Sequence, residues 1–222
     1  VARGSAMLFG IDLPENFDRP YLAESPADFW RRWHMTLSTW LRDYLYYPLG
    51  GSRRGEARTY FNLFVTIFLI GLWHGASWNF VLYGTIQGAA MVLHRFWRTR
   101  IARERASRPK PIALRVLHVA ACLQFVVFSR ILFRASDLEQ AGAVTERLWS
   151  GTTSVAQITP GVAAILIGSF VAHMLPPRWF AGLVDRLCRA PAIVLGLALC
   201  LAFAACALMA TSEVVPYIYF QF

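Results

Sequence analysis

Residues 60–93 read YFNLFVTIFLIGLWHGASWNFVLYGTIQGAAMVL and contain no Asp, Glu, Lys or Arg. A transmembrane helix needs about 20 mostly apolar residues, so this stretch is too long for one straight span and short for two. Small and polar residues at 74–79 interrupt it near the middle. The pattern predicts a hairpin or a re-entrant pair of helices over 60–93, with its turn at the cluster that begins with His74.

Three further apolar stretches each have the length of one membrane crossing, at 112–133, 155–175 and 191–212. Hydrophobic residues make up 56% of the chain and charged residues 16%, with a mean hydropathy of +0.42. An ordinary soluble domain carries about 25% charged residues, so the composition argues against that class. We expect an all-α fold, a polytopic integral membrane protein whose helical bundle forms a single membrane domain over residues 1–222.

The loops between these stretches differ in charge. The chain has a net charge of +9, and all but one of its 22 Lys and Arg residues are Arg. Segment 94–111 carries six Arg and Lys110 against Glu104 alone. Short basic loops are retained in the cytoplasm, so we expect 94–111 on that side and the C-terminus outside. The basic cluster is explained by this orientation and by anionic membrane lipids, not by a nucleic-acid partner.

Residues 25–47 are predicted to form an amphipathic helix. Ser25 at the capping position, Pro26 in the first turn and Asp28 after it form a helix start signal. At helical spacing one face is apolar and rich in aromatic residues, comprising Trp30, Trp33, Leu37, Trp40, Leu41 and Tyr44. A helix of this kind lies in the plane of the membrane interface, with its arginines near the lipid headgroups.

His74 is the first candidate for chemistry, because it lies near the centre of the charge-free stretch. An ionisable side chain at membrane depth faces a protein interior or a watery cavity. Imidazole has an ordinary pKa near 6.5 and can accept a proton at neutral pH, so His74 is a candidate general base. The alternative is a histidine that only bonds a backbone carbonyl in the core of the bundle.

His34 lies within the apolar arc of the predicted amphipathic helix, so it could face the same cavity as His74. The alternative is an interface residue among tryptophans, with no chemical role. The sequence contains no HxxxH or HExxH pattern and no close carboxylate pair with a histidine, so we expect no metal site. Gly50 and Gly51 lack the lysine and the following helix of a phosphate-binding loop.

Several motifs resemble a known family. They are FWRRWH at 29–34, LSTWLRDYL at 37–45, YPLGG at 47–51, RTYFNL at 58–63 and GLWHGA at 71–76, with LPENF at 13–17 and YIYFQF at 217–222. Together they are similar to the signature of membrane-bound O-acyltransferases. Within that family they are most similar to the branch of the alginate O-acetyltransferase membrane subunit and its polysaccharide-acetylating relatives.

The resemblance implies that His74 is the catalytic histidine and His34 the second histidine of the motif. It implies transfer of an acyl group, here acetyl, from a thioester donor to a hydroxyl, for O-acetylation of an exported polysaccharide such as alginate. The donor, acetyl-CoA or an acyl carrier, is a co-substrate, and no tightly bound cofactor is expected. The resemblance also implies a multi-pass protein of the bacterial inner membrane, surrounded by lipids. Members of the family are longer, so further N-terminal spans are expected before Val1.

A partner is also implied, because acetyl groups delivered from the cytoplasm must reach a polymer outside. We expect a periplasmic acetyl-relay or polysaccharide-modifying protein. Two other classes fit the residues alone. One is a transporter or channel subunit in which the broken pair at 60–93 lines a permeation path. The other is a noncatalytic scaffold of a polysaccharide export complex. Acyl transfer that depends on a thioester separates the first reading from both of these.

Overall fold

The computed structural model describes residues 2–102, 111–151 and 158–209, and these residues form helices and loops without a β-strand. The expected all-α fold is confirmed. The chain divides into two compact units, Val1–Gln157 and Ile158–Phe222. The single membrane domain over residues 1–222 stays a prediction.

Ten α-helices run along the described residues. The first unit contains α1 (Ala2–Leu8), α2 (Pro26–Arg32), α3 (Met35–Leu41), α4 (Glu56–Trp73), α5 (Trp78–Phe96), α6 (Ile112–Arg134) and α7 (Leu138–Ser150). The second contains α8 (Pro160–Met174), α9 (Pro177–Cys188) and α10 (Ala192–Met209). A 3-10 turn covers Pro20–Leu22, and π-helical turns follow α3 at Arg42–Tyr46 and α5 at Trp97–Ile101.

Helices α4 and α5 form a tight antiparallel hairpin. Their contact surface is built from glycines: a Cβ on Gly71 would lie 2.6 Å from the Cα of Gly84. At the open end the Tyr60 hydroxyl lies 3.3 Å from the Thr99 hydroxyl, and Arg100 pairs with Glu56. The two flanks of the hairpin therefore meet on one side of the molecule, and residues 74–77 form its turn. Its position in a membrane stays a prediction.

The helix expected over 25–47 is not continuous. Ser25 caps α2 as predicted, accepting a hydrogen bond from the Asp28 N–H at 3.2 Å. The chain then turns out of the helix at Trp33, which is extended, and His34, which is left-handed with φ 50°. The reason is competition for backbone groups: the Arg32 carbonyl accepts the N–H of Asp18 at 2.9 Å, so a segment distant in sequence has replaced part of the helical pairing.

The break also changes which aromatic residues are buried. Trp30 is 5% exposed and belongs to the core, whereas Trp40 and Tyr44 are 56% and 69% exposed. A single helix would have placed all three on one face. Because the chain changes direction at residues 33–34, the second half presents a different face to the core. The predicted apolar arc is correct for its first half only.

The core of the first unit lies where α2, α4, α5 and α6 meet. Helices α2, α4 and α6 each contribute two buried side chains to it, namely Phe29 and Trp30, Ile67 and Ile70, and Cys122 and Val126. A buried polar chain crosses it: the Trp30 indole N–H donates to the Gln87 side-chain oxygen at 3.2 Å, and the Gln87 amide donates to Ser129 at 2.9 Å. These bonds fix α2, α5 and α6 in register.

Among the described residues, Ile112–Arg134 is a helix long and apolar enough to cross a membrane. Helices α8 and α9, which meet at 102°, would add one more if the bent pair forms a single span. In the predicted crossing 155–175 the helix is α8, and residues 152–157 lie outside the described part. Helix α8 ends at an extended Leu175 because Pro176 follows, and proline disfavours a helical residue before it.

The last predicted crossing, 191–212, is helical over Ala192–Met209, and residues 210–212 lie outside the described part. Its apolar length is shorter than the stretch that the sequence marks out. The membrane crossings at 112–133, 155–175 and 191–212 therefore stay predictions.

Candidate active site

His74 lies where α4 ends, at the turn of the hairpin. Its backbone N–H donates to the Gly71 carbonyl at 3.0 Å and closes the last turn of the helix. The imidazole is half-buried among aromatic rings, with its centroid 4.8 Å from the Phe133 ring in an edge-on arrangement and 6.2 Å from the Phe80 ring. The sequence places His74 in the apolar hairpin, and tertiary packing brings the end of α6, through Phe133, against the imidazole.

His34 lies at the break between α2 and α3, and its left-handed backbone turns the side chain away from the helical path. The Asn16 carbonyl accepts the N–H of Met35 at 3.0 Å, which holds the chain immediately after His34. Its Nδ1 is buried and has no hydrogen-bond partner. Burial lowers the pKa of His34 below its usual value, because desolvation disfavours the imidazolium and outweighs a backbone hydrogen bond that favours it.

The structure brings the two predicted histidines to one place. The Trp73 ring lies 6.3 Å from the His34 ring and 4.8 Å from the His74 ring, centroid to centroid. Forty residues separate these side chains in the sequence, and the helix break at residue 34 is what directs one toward the other.

Arg130 is a member of this site that the sequence analysis missed. Its guanidinium lies 4.5 Å from the Trp33 ring centroid, 5.2 Å from that of Phe133 and 6.0 Å from that of Tyr83. The Phe133 ring also borders the His74 imidazole, so one ring lies beside both groups. The position of Arg130 gives no distinct signal in the sequence, because an arginine one turn inside the end of an apolar stretch can reach the lipid headgroups.

The end of α6 is fixed to the hairpin by a buried amide. Asn79 is 2% exposed, and its Nδ2 donates to the Ala135 carbonyl at 2.8 Å. This bond joins the start of α5 to the residue that follows α6, two positions after Phe133. It therefore sets the distance between the hairpin turn that carries His74 and the helix that carries Arg130.

No three potential metal ligands from His, Cys, Asp or Glu converge anywhere in residues 2–102, 111–151 or 158–209. The site thus consists of two imidazoles, one guanidinium and the aromatic rings around them. These groups can accept a proton, hold a negative charge and exclude water. They are suited to acid–base chemistry on a neutral or anionic substrate.

Comparison with known proteins identifies the family of the chain. The family model of the MBOAT, membrane-bound O-acyltransferase family, matches residues 1–133, which include His34, His74 and Arg130. The chain belongs to the membrane-bound O-acyltransferase family. The resemblance drawn from its motifs is confirmed.

Three relatives indicate the range of acyl-transfer activities named among proteins similar to this chain. The probable alginate O-acetylase AlgI of Pseudomonas aeruginosa is 35% identical over 182 residues, 81% of this chain and 34% of that protein. The peptidoglycan O-acetyltransferase of Helicobacter pylori is 40% identical over 141 residues, 64% of this chain and 26% of that protein. The teichoic acid D-alanyltransferase of Bacillus subtilis is 30% identical over 139 residues, 58% of this chain and 35% of that protein. The chain thus spans about a third of the length of these relatives or less.

Proposed function

We propose that this chain carries the catalytic groups of a membrane O-acyltransferase that moves an acetyl group from a thioester to a hydroxyl of an exported polysaccharide. The observation that carries the proposal is the meeting of His34 and His74 across Trp73, within residues matched by the family model. Acyl transfer that depends on a thioester would separate this function from a transporter or an export scaffold.

In the proposed reaction His74 is the general base. Its neutral imidazole takes the proton of the acceptor hydroxyl as the oxygen attacks the thioester carbonyl. The tetrahedral intermediate then expels the thiolate, which takes the proton back from the His74 imidazolium. The products are an O-acyl ester and a free thiol, and the histidine returns to its starting state. A well-placed base contributes about 10²- to 10⁴-fold to the rate.

His34 has a subsidiary role in this proposal: it orients the thioester donor or passes a proton on the cytoplasmic side of the site. Its Nδ1 supports this, because it is buried and has no hydrogen-bond partner among the described residues, so its hydrogen-bonding capacity is unused. Its lowered pKa keeps the imidazole neutral at pH 7, able to accept a hydrogen bond or a proton. The aromatic rings around both histidines would exclude water and so protect the thioester from hydrolysis.

The names of the relatives support a polymer outside the cytoplasm as the acceptor. They act on alginate, peptidoglycan and teichoic acid, and all three names describe acyl transfer. The AlgI similarity extends over the largest share of this chain among the three, so we propose alginate or a related exopolysaccharide. The donor would be acetyl-CoA or an acyl carrier on the cytoplasmic side. A periplasmic relay protein would carry the acetyl group onward from the inner membrane.

The test is His74→Ala in the full-length gene product that carries this chain. Membranes would be supplied with a labelled acetyl thioester and a polysaccharide or relay acceptor, and the label on oxygen would be counted. We expect a loss of about 10²-fold or more, because the base is removed. The control is His94→Ala, on the same hairpin but about 24 Å along α5 from its turn. Near-wild-type acetylation by His74→Ala would refute the assignment.

A further inference from the structure

Arg130 presents a cation that no described carboxylate neutralises. Among the described residues no carboxylate forms an ion pair with it, and its Nη2 is buried without a hydrogen-bond partner. Arg115, in the first turn of the same helix α6, pairs with Glu24 at 2.9 Å. The two arginines share a helix, but a carboxylate lies beside Arg115 only.

Aromatic rings take the place of a counterion. The guanidinium lies over Trp33 at 4.5 Å and beside Phe133 at 5.2 Å. Trp33 is itself fixed between the Phe17 ring, edge-on at 4.8 Å, and the Phe29 ring, stacked at 5.7 Å. Cation–π contacts of this kind hold the plane of a guanidinium but do not satisfy its N–H donors. These rings thus hold Arg130 in place and leave N–H donors of its guanidinium able to bind an anion.

The position of Arg130 restricts which anion it can meet. Its guanidinium and the His74 imidazole contact the same ring, that of Phe133, at 5.2 Å and 4.8 Å. In a thioester donor the phosphates are separated from the carbonyl by the whole pantetheine arm, too far for a group beside the catalytic base. The reaction itself creates a negative charge beside the base, on the oxygen of the carbonyl under attack, and a carboxylate of the acceptor is the alternative that the kinetics below distinguish.

We propose that Arg130 is a catalytic residue that donates hydrogen bonds to the oxyanion formed on the acyl carbonyl. The inference rests on the proposed function and adds a residue to it. As the hydroxyl oxygen bonds to the carbonyl carbon and His74 takes the proton, the π electrons of the C=O move onto its oxygen. Arg130 holds that charge until the C–S bond breaks and the carbonyl reforms. No proton is transferred to or from the guanidinium, so the overall reaction is unchanged.

The test compares R130M, R130K and R115M in the full-length protein, using acetyl-CoA and an oligosaccharide acceptor. For R130M we expect kcat to fall about 10²- to 10³-fold, as for loss of an oxyanion donor. KM for either substrate should change less than about threefold, because the interaction exists only in the transition state. R130K, which keeps the charge but not the planar fork, should fall in between. R115M, about 22 Å away along α6, should match the wild type.

Two results would overturn the proposal. An increase in KM for the acceptor with kcat unchanged would mean that Arg130 binds a ground-state carboxylate. An unchanged R130M would mean that the cation has no part in the reaction. Thermal unfolding in detergent checks the fold, and if R130M does not fold, the kcat and KM of R130K decide. Folded wild-type protein that transfers no acetyl group would overturn the proposed function itself, whereas active wild type with unchanged R130M overturns only the role of Arg130.

Discussion

The left-handed backbone of His34 is the smallest feature on which the candidate site depends. At φ 50° a residue with a Cβ is strained, and asparagine tolerates this region better than alanine. The conformation is maintained because Asn16 accepts hydrogen bonds from both Met35 and Thr36 on the far side of the break. Replacing His34 by alanine therefore changes two things at once, the imidazole and the backbone preference.

The variant His34→Asn separates these effects. We expect its unfolding temperature to stay near wild type, because asparagine accepts the left-handed backbone, whereas His34→Ala should lose up to about 1 kcal/mol of stability. Acetyl transfer by His34→Asn should fall, but less than that by His74→Ala. The measurements are thermal unfolding in detergent and transfer at saturating donor. Full activity, or a loss equal to that of His74→Ala, would refute the subsidiary role.

At this scale the sequence predicted the two histidines but not the arginine. An apolar setting alone does not single out a histidine, because His118 and His173 also lie in apolar stretches. His74 is marked by the charge-free stretch 60–93, and both it and His34 lie in the family motifs. Arg130 lies near the end of an apolar helix, where a cation has an ordinary explanation, reaching out to the lipid headgroups. Only tertiary packing shows that its guanidinium points at Trp33 and Phe133 instead.

At the scale of elements, the α4–α5 hairpin depends on glycine. A Cβ on Gly84 would lie 2.5 Å from the Phe68 carbonyl oxygen, and one on Gly88 would lie 3.0 Å from the Phe64 carbonyl oxygen. Gly84 and Gly88 form a GxxxG motif, which lets two helix backbones approach closely. Because His74 is carried at the turn of this hairpin, the helix spacing also determines where the imidazole lies.

We expect Gly84→Ala to destabilise the protein by about 1–3 kcal/mol, since the helices must separate to admit the methyl group. It should also reduce acetyl transfer, because the hairpin turn moves with them. The control is Gly142→Ala on α7, where an added Cβ meets nothing within 4 Å; it should be neutral or slightly stabilising. Thermal unfolding of both variants in one detergent gives the comparison. Equal stability of the two would contradict the close-packing argument.

The elements also show where periodicity fails as a guide. The hairpin follows from hydropathy and a cluster of small residues, which are local signals. The break at Trp33 and His34 does not follow from local signals, because its cause is the segment at 16–18, whose backbone forms hydrogen bonds with residues 32 and 35. Helical spacing across 25–47 contains no information about a partner more than a dozen residues upstream.

At the scale of the whole molecule, the α4–α5 hairpin constrains how the chain lies in the membrane. The pairing of Glu56 with Arg100 brings the two flanks of the hairpin together. Flanks that meet lie on the same side. Both are basic, with Arg53, Arg54 and Arg58 before Tyr60 and the arginines of segment 94–111 after the hairpin, and this agrees with a common side. The predicted side is the cytoplasm, since Lys and Arg in short loops are not translocated.

Single-cysteine labelling tests this topology in the full-length protein after Cys122, Cys188, Cys200 and Cys206 are replaced. We expect a membrane-impermeant reagent added to intact cells to label Thr152→Cys but not Ser107→Cys, two positions that lie outside the described residues. Thr152 belongs to segment 135–154, which is nearly charge-balanced and is predicted to lie on the outer face. Translocating the 94–111 loop would carry six Arg and Lys110 across the bilayer against one Glu, which is costly. Both positions should react after the cells are opened, which controls for reagent access. Labelling at Ser107→Cys but not at Thr152→Cys would reverse the orientation and place the mouth of the His34–His74 site on the outer face.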